Sequence, residues 1–206
     1  MAETEREIEV KFYVRHPGEV ELRLRELKAQ LIQPRTHEIN LRFDDLRNTL
    51  RNSFCVLRLR RDNQARLTYK GAGTTEEGGI LNRREIEFVV EDFEKARELL
   101  EALGYRVVAF YEKFRAIYQL RETLVMLDEL PFGCFVEIEG GDAETIRAAA
   151  RLLGLEWSAA VQAGYLTLFE KVAPAFGLDS SQLSFSAFGG MRVTEEDLGV
   201  RAADQN

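Results

Sequence analysis

The feature that most narrows the folds open to this chain is an alternation of polar and apolar residues in which the charges are sorted strand by strand. Side chains two apart on a strand point the same way, so residues 5–13 set Ile8, Val10 and Phe12 against Glu5, Glu7, Glu9 and Lys11. The polar parity continues as Asn40, Arg42 and Asp44; Arg58 and Arg60; Arg66 and Lys70; Glu85 and Glu87; Lys113, Arg115 and Arg121; and Glu137 and Glu139. The opposite parity is apolar, with Leu57, Leu59, Leu67, Tyr69, Ile86, Phe88, Phe114, Tyr118, Val136 and Ile138. One such strand is ordinary, because an antiparallel sheet commonly turns a charged face to water. A merely solvated surface mixes signs, whereas here Glu7/Glu9, Glu85/Glu87 and Glu137/Glu139 are acidic pairs and Arg58/Arg60 and Lys113/Arg115 basic ones. Closing the sheet with this parity inside gives a barrel with a polar lumen, its acidic and basic sets forming two walls and its apolar exterior covered by helices. The predicted class is α+β.

The remaining periodicities supply those helices. Pro17 opens a segment in which Val20, Leu24, Leu27 and Leu31 recur at helical spacing. Phe93, Ala96, Leu99, Leu100 and Leu103 predict a second helix stopped by Gly104, Asp142 caps a third that ends at Gly154, and a fourth covers about 161–172. Strands are expected at 37–44, 54–61, 65–70, 83–90, 107–120, 123–130 and 132–139. With 206 residues, 45% of them hydrophobic, the chain can bury one substantial core. Residues 1–173 are expected to form that domain, and 174–206 a tail that docks through Leu183, Phe185 and Phe188 and frays at 204–206.

A formal charge of -7 argues against nucleic acid or an anionic membrane as a partner of the whole surface, so any bound anion must meet a local basic patch. No apolar run approaches spanning length, and the N-terminus is acidic, so neither secretion nor anchoring is predicted. Cys55 and Cys134 are too few for a disulfide framework and predict apolar filler in a reducing cytosol. With only two histidines a zinc site is not expected; carboxylates alone suit a hard cation, Mg²⁺ or Mn²⁺. Arginine forks and lysine point charges on the other wall suit a polyphosphate chain. The competing explanation is a set of salt bridges across the sheet, Glu9 with Arg60 for instance. Buried ion pairs are poor stabilisers, however, and explain the whole set badly.

Glu7-Ile8-Glu9-Val10-Lys11 resembles the ExExK signature of CYTH-domain proteins, the triphosphate tunnel metalloenzymes that include class IV adenylyl cyclases and thiamine triphosphatases. It is followed in family order by Asn40-Leu41-Arg42-Phe43-Asp44, Leu57-Arg58-Leu59-Arg60, Leu67-Thr68-Tyr69-Lys70-Gly71, Arg84-Glu85-Ile86-Glu87, Lys113-Phe114-Arg115, Leu127-Asp128-Glu129 and Phe135-Val136-Glu137-Ile138-Glu139. The resemblance implies a closed eight-stranded antiparallel tunnel that holds a small-molecule triphosphate with one or two divalent ions, in a monomer or homodimer. It assigns Lys11, Arg58, Arg60, Lys70, Lys113 and Arg115 to phosphate, and Glu7, Glu9, Glu85, Glu87, Asp128, Glu137 and Glu139 to metal or the attacking water; Arg42, a departure from the family pattern, is expected to add a phosphate contact or to close one tunnel mouth. Glu137, Glu139, Lys113 and Arg115 are the expected catalytic groups. Asp128 rests on the resemblance alone, because Leu124, Met126 and Leu130 share its parity.

Two departures stand out. Arg42 occupies the place where many relatives have tyrosine, and Ala163-Gly164-Tyr165 the place where triphosphatase members often put a lysine, which weakens an assignment to thiamine triphosphate. Triphosphate hydrolysis needs the least beyond the tunnel. A class IV adenylyl cyclase is the close alternative, supported by the run Leu127 to Gly140, and a non-catalytic binding module is the third.

Overall fold

A computed structural model of the protein describes residues 6–75 and 78–204, so Glu5 lies outside the described residues. The strands are β1 (Arg6–Val14), β2 (Gln30–Asp44), β3 (Val56–Arg61), β4 (Ala65–Lys70), β5 (Thr74–Thr75), β6 (Leu81–Val90), β7 (Arg106–Leu120), β8 (Thr123–Leu130), β9 (Gly133–Glu139) and β10 (Gln182–Leu183). The helices are α1 (Pro17–Glu26), α2 (Thr49–Asn52), α3 (Phe93–Ala102), α4 (Ala143–Leu152), α5 (Tyr165–Val172), α6 (Phe185–Phe188) and α7 (Glu195–Leu198), with a 3₁₀ turn at Trp157–Ala159.

Eight strands follow one another as β1-β9-β8-β7-β2-β3-β4-β6, and β6 pairs back onto β1 from Arg6↔Arg84 to Glu9↔Leu81. All eight pairings are antiparallel, so the barrel is closed and has no free edge between these strands. The two short strands lie outside the ring, β5 beside β6 and β10 parallel to β7.

Closure turns the apolar parity outward, where helices cover it. Phe12, Val136 and Ile138 pack with Leu24 of α1 and Ile146 of α4. Phe43 and Leu59 meet Phe93 and Leu100 of α3. Phe132 and Phe135 are covered by Phe169 of α5 and by Leu183, Phe188 and Leu198 of the C-terminal segment. Asp92 and Asp142 cap α3 and α4 by accepting the amides of Lys95 and Thr145.

Several local expectations are corrected. The first helix stops at Glu26, and Lys28, with φ of +58°, turns the chain so that Leu31 joins β2. That strand therefore begins well before 37; its pairing with β7 shifts between Leu31 and Gln33 and again between Gln33 and Thr36, across Pro34, which has no amide to donate. The last long helix begins at Tyr165, because Val161 donates its amide to the Lys11 carbonyl in extended geometry. Asp44 turns to α2, taking the amides of Leu50 and Arg51. Arg121 sits in the β7–β8 turn, and Arg66 pairs first with Asp62 at 2.8 Å. Ile86 and Phe88 are 39% and 53% exposed, so the helical cover is incomplete over β6. Asp204 is tied down rather than frayed, accepting the amides of Arg15 and His16; residues 205–206 lie outside the described residues.

Phe188 lies 5.8 Å from the Phe169 ring and 6.4 Å from that of Phe132. Phe188→Ala should cost about 3–5 kcal/mol of stability, read as a lower urea midpoint in a single transition. An unchanged midpoint would show that the C-terminal segment does not unfold with the barrel.

Candidate functional site

The lumen is a cavity of about 690 Å³. Its lining includes Glu7, Glu9 and Lys11 from β1, Arg42 from β2, Arg58 and Arg60 from β3, Lys70 from β4, Glu85 and Glu87 from β6, Lys113 and Arg115 from β7, and Glu137 and Glu139 from β9. Every residue that sequence reasoning placed in the site is brought to this cavity except Asp128, which lies directly behind Lys113 and Arg115.

The two signs interdigitate more than two separate walls would allow. Lys11 contacts Glu137 at 2.9 Å, and Glu137 also accepts from Arg115. Asp128 takes Lys113 Nζ at 2.9 Å, Arg115 Nε at 2.6 Å and the Tyr165 hydroxyl at 2.7 Å. Lys70 bridges Glu7 and Glu85, the latter at 3.1 Å. Arg60 is met by Glu87 at 3.0 Å and Glu38 at 3.6 Å rather than by Glu9, whose cation is Arg83 at 3.7 Å.

At two places the pairing is incomplete and like charges adjoin one another. Glu9 and Glu139 sit opposite each other on β1 and β9. Burial and the carboxylates of Glu7, Glu9 and Glu85 push Glu139 up to about 7. Burial, Glu137 and Glu7 raise Glu9, while burial outweighs Lys70 in raising Glu85. The Glu139 carboxylate has no hydrogen bond or ion pair among the described residues. Glu7 is the exception: burial opposes its charge, but Lys70 and Arg83 hold it down to about 2. At the other place Arg42 faces Arg58 across β2 and β3. Burial, with Arg58 and Arg83, pulls the Arg42 guanidinium below its ordinary value, and burial with Arg58 does the same to Arg60. The Arg42 guanidinium likewise has no hydrogen bond or ion pair among the described residues.

A hard divalent cation fits the acidic place by donor chemistry, since every candidate ligand is a carboxylate oxygen and both burial and neighbouring carboxylates disfavour their charge there. Among the described residues no three acidic, histidine or cysteine side chains are gathered around one point. Glu7 is turned instead to Lys70 and Arg83.

Sequence reasoning missed Glu38, Arg83, Tyr111 and Tyr165. The first three were legible, since Glu38 shares the parity of Asn40, Arg83 that of Glu85 and Tyr111 that of Lys113. Glu38 is fully buried, accepts from Asn40 Nδ2 at Oε1 over 2.9 Å and leaves Oε2 without a hydrogen bond. Tyr165 carries no periodic signal, because it reaches the lumen from α5 rather than from the barrel wall. Leu124 and Met126 do line the cavity, so β8 obeys the same alternation with apolar residues inside, and Asp128 is in phase with them.

Comparison with known proteins agrees with this architecture. The CYTH domain profile matches residues 5–156. A "putative adenylate cyclase" of Methanocaldococcus jannaschii is 29% identical over 135 residues, 65% of this chain and 75% of that protein. Among solved structures, a "putative adenylate cyclase" from Vibrio parahaemolyticus superposes with a TM-score of 0.70 at 22% identity, covering 79% of this chain and 97% of that one. A Pyrococcus horikoshii OT3 protein gives 0.65 at 28% identity, covering 77% and 96%. A "putative adenylyl cyclase" from Hippeastrum, described as having a dominant triphosphatase activity, gives 0.62 at 20% identity, covering 80% and 95%. With the domain profile spanning most of its length, the chain belongs to the CYTH domain family.

Proposed function

We propose that this protein is a divalent-metal-dependent phosphohydrolase that binds the triphosphate group of a small molecule, inorganic tripolyphosphate or a nucleoside or thiamine triphosphate, in its barrel lumen. The observation that carries this reading is the double imbalance of the lumen. Burial, reinforced by neighbouring cations, depresses Arg42 and Arg60, while burial, reinforced by neighbouring carboxylates, raises Glu9 and Glu139. An anion at the first place and a cation at the second relieve both, and a metal–triphosphate complex supplies the two together.

In this reading Lys11, Arg42, Arg58, Arg60, Lys70, Lys113 and Arg115 bind phosphate oxygens. Glu9 and Glu139 hold Mg²⁺ or Mn²⁺, with Glu7, Glu85 and Glu137 in the same acidic region. When bound, such an ion neutralises phosphate charge and helps to orient water. Lys113 and Arg115 offset the charge that grows on the transferred phosphoryl oxygens. Glu137 keeps Lys11 and Arg115 in place. Glu139 also orients the attacking water, which adds to the terminal phosphorus in line as the P–O bond to the leaving group breaks and whose proton leaves with the orthophosphate. Glu87 and Asp128, which the resemblance counts among metal ligands, are held by arginines and lysine, and we assign them to positioning those cations.

Residues 1–173 are taken as the domain and 174–206 as its docked tail. A reducing cytosol suits the free Cys55 and Cys134. Among the described residues no helix is long and apolar enough to cross a membrane. The acidic net charge favours a small-molecule partner over nucleic acid, in a monomer or homodimer.

A class IV adenylyl cyclase is the second reading, favoured by the names of the Methanocaldococcus and Vibrio relatives. The two differ in the phosphorus attacked. Purified protein with Mg²⁺ or Mn²⁺ should release orthophosphate from inorganic tripolyphosphate and ADP with orthophosphate from ATP. Cyclic AMP and pyrophosphate as the main products from ATP, with tripolyphosphate only inhibiting, would reverse the order.

Arg42→Ala should raise KM for tripolyphosphate roughly 10- to 100-fold, the range for a hydrogen bond to a charged group. The melting temperature should hold or rise, because repulsion with Arg58 and Arg83 is relieved. A lower melting temperature with normal kinetics would make Arg42 structural.

The folded pKa of Glu139 lies above its ordinary 4.5, so this group stabilises the metal-free fold below pH 4.5 and loses that contribution as pH rises through about 7. Calorimetry at pH 6.5 should therefore detect proton release when Mg²⁺ binds, and Glu139→Gln should reduce it. Equal proton release in the variant would remove Glu139 from the metal site.

A further inference from the structure

Tyr165 lies beyond residue 156, where the CYTH profile match ends, yet it touches the basic lumen cluster in two ways. The chain brings it there in extended form: the Val161 amide is bonded to the Lys11 carbonyl at 2.7 Å, and the next helix starts at Tyr165 itself. Its ring packs edge-on to Phe135 with centroids 5.1 Å apart, which fixes its plane. Lys11 Nζ stands 4.5 Å and Lys113 Nζ 5.2 Å from the ring centroid, within the range in which a cation is drawn to an aromatic face. The hydroxyl donates to Asp128 Oδ2 at 2.7 Å.

We propose that Tyr165 is a positioning residue for substrate, acting through Asp128 on Lys113 and Arg115. This rests on the triphosphate reading above. Asp128 is 1% exposed and accepts from Lys113, Arg115 and the tyrosine hydroxyl. The hydroxyl is its one neutral donor among the described hydrogen bonds. That donor satisfies part of the carboxylate without adding charge, which limits how strongly Asp128 competes with phosphate oxygens for its two cations. Removing it leaves the buried carboxylate to the cations alone, draws Lys113 and Arg115 back from the lumen and weakens their hold on an incoming anion. A segment outside the matched region thereby tunes the phosphate-binding strength of the barrel.

Tyr165→Phe keeps the ring, its contact with Phe135 and its face toward the lysines, and deletes only the hydroxyl. Calorimetric titration with inorganic tripolyphosphate should show Kd raised roughly tenfold over the parent, as expected for one hydrogen bond to a charged group. The melting temperature should shift far less than for a core truncation. In an Asp128→Asn background the same change should have almost no further effect on Kd, since the group through which it acts has lost its charge. Should Asp128→Asn fail to fold, the Kd against melting-temperature comparison for Tyr165→Phe alone decides. Parent-like Kd in Tyr165→Phe, or a lower melting temperature with Kd unchanged, overturns the inference. So does a full tenfold loss that persists in the Asp128→Asn background. A parent protein that binds no tripolyphosphate would instead overturn the triphosphate reading, and this inference with it.

Discussion

The structure depends on ionised side chains kept inside a closed barrel. Taking a carboxylate or guanidinium out of water costs several kcal/mol per ion even after relaxation, and Glu38, Lys113, Asp128 and Arg115 are each under 10% exposed. That cost is offset only by dense mutual pairing. The run Lys11–Glu137–Arg115–Asp128–Lys113 crosses β1, β9, β7 and β8, so it binds neighbouring staves of the barrel to one another from within. The network in turn demands closure, because an open sheet would let water screen these pairs and would leave the apolar parity as the only inward-facing surface.

The barrel was legible because its two faces are so different. Alternation in β1, β3, β4, β6, β7 and β9 sorted lumen from exterior, and the segregation of Glu85/Glu87 from Arg58/Arg60 pointed to an interior rather than a solvated face. Register was not legible. Periodicity offered Glu9 with Arg60 as readily as the Arg60–Glu87 and Glu9–Arg83 contacts that form, since which residues face each other depends on strand order and stagger. Elements set by tertiary contacts were hidden for the same reason. Leu31 continues the helical spacing of α1, yet a positive φ at Lys28 sends it into a strand. Residues 161–164 look helical by composition, but the Lys11 carbonyl captures the Val161 amide first.

The C-terminal segment shows how the exterior of such a barrel is completed. Phe132 and Phe135 would face water if the chain ended with the matched domain, and the aromatic cluster of Phe169, Phe188 and Tyr165 covers them instead. The cover is anchored at both ends, by the parallel pairing of Gln182–Leu183 onto β7 and by Asp204 on the amides of Arg15 and His16. Glu112 ties the middle, accepting the Phe185 amide at 2.8 Å and meeting His37 at 2.7 Å. Packing of this segment is coupled to the lumen through Tyr165 among others, which belongs to the aromatic core on one side and to Asp128 on the other.

The way charge is left over in the lumen is more informative than its total. A barrel selected only for stability would match each buried ion to a partner, as Asp128 and Glu137 are matched. Instead the mismatches fall at separate places, cationic around Arg42 and Arg60 and anionic around Glu9 and Glu139. A bare anion would satisfy the first and be repelled by the second; a bare metal ion would do the reverse. A metal–polyphosphate complex carries both signs, which is why the proposed function takes the two as one ligand. Pairing that is complete in the middle and incomplete at two places thus holds the barrel together while keeping binding energy available for a ligand of that dipolar form.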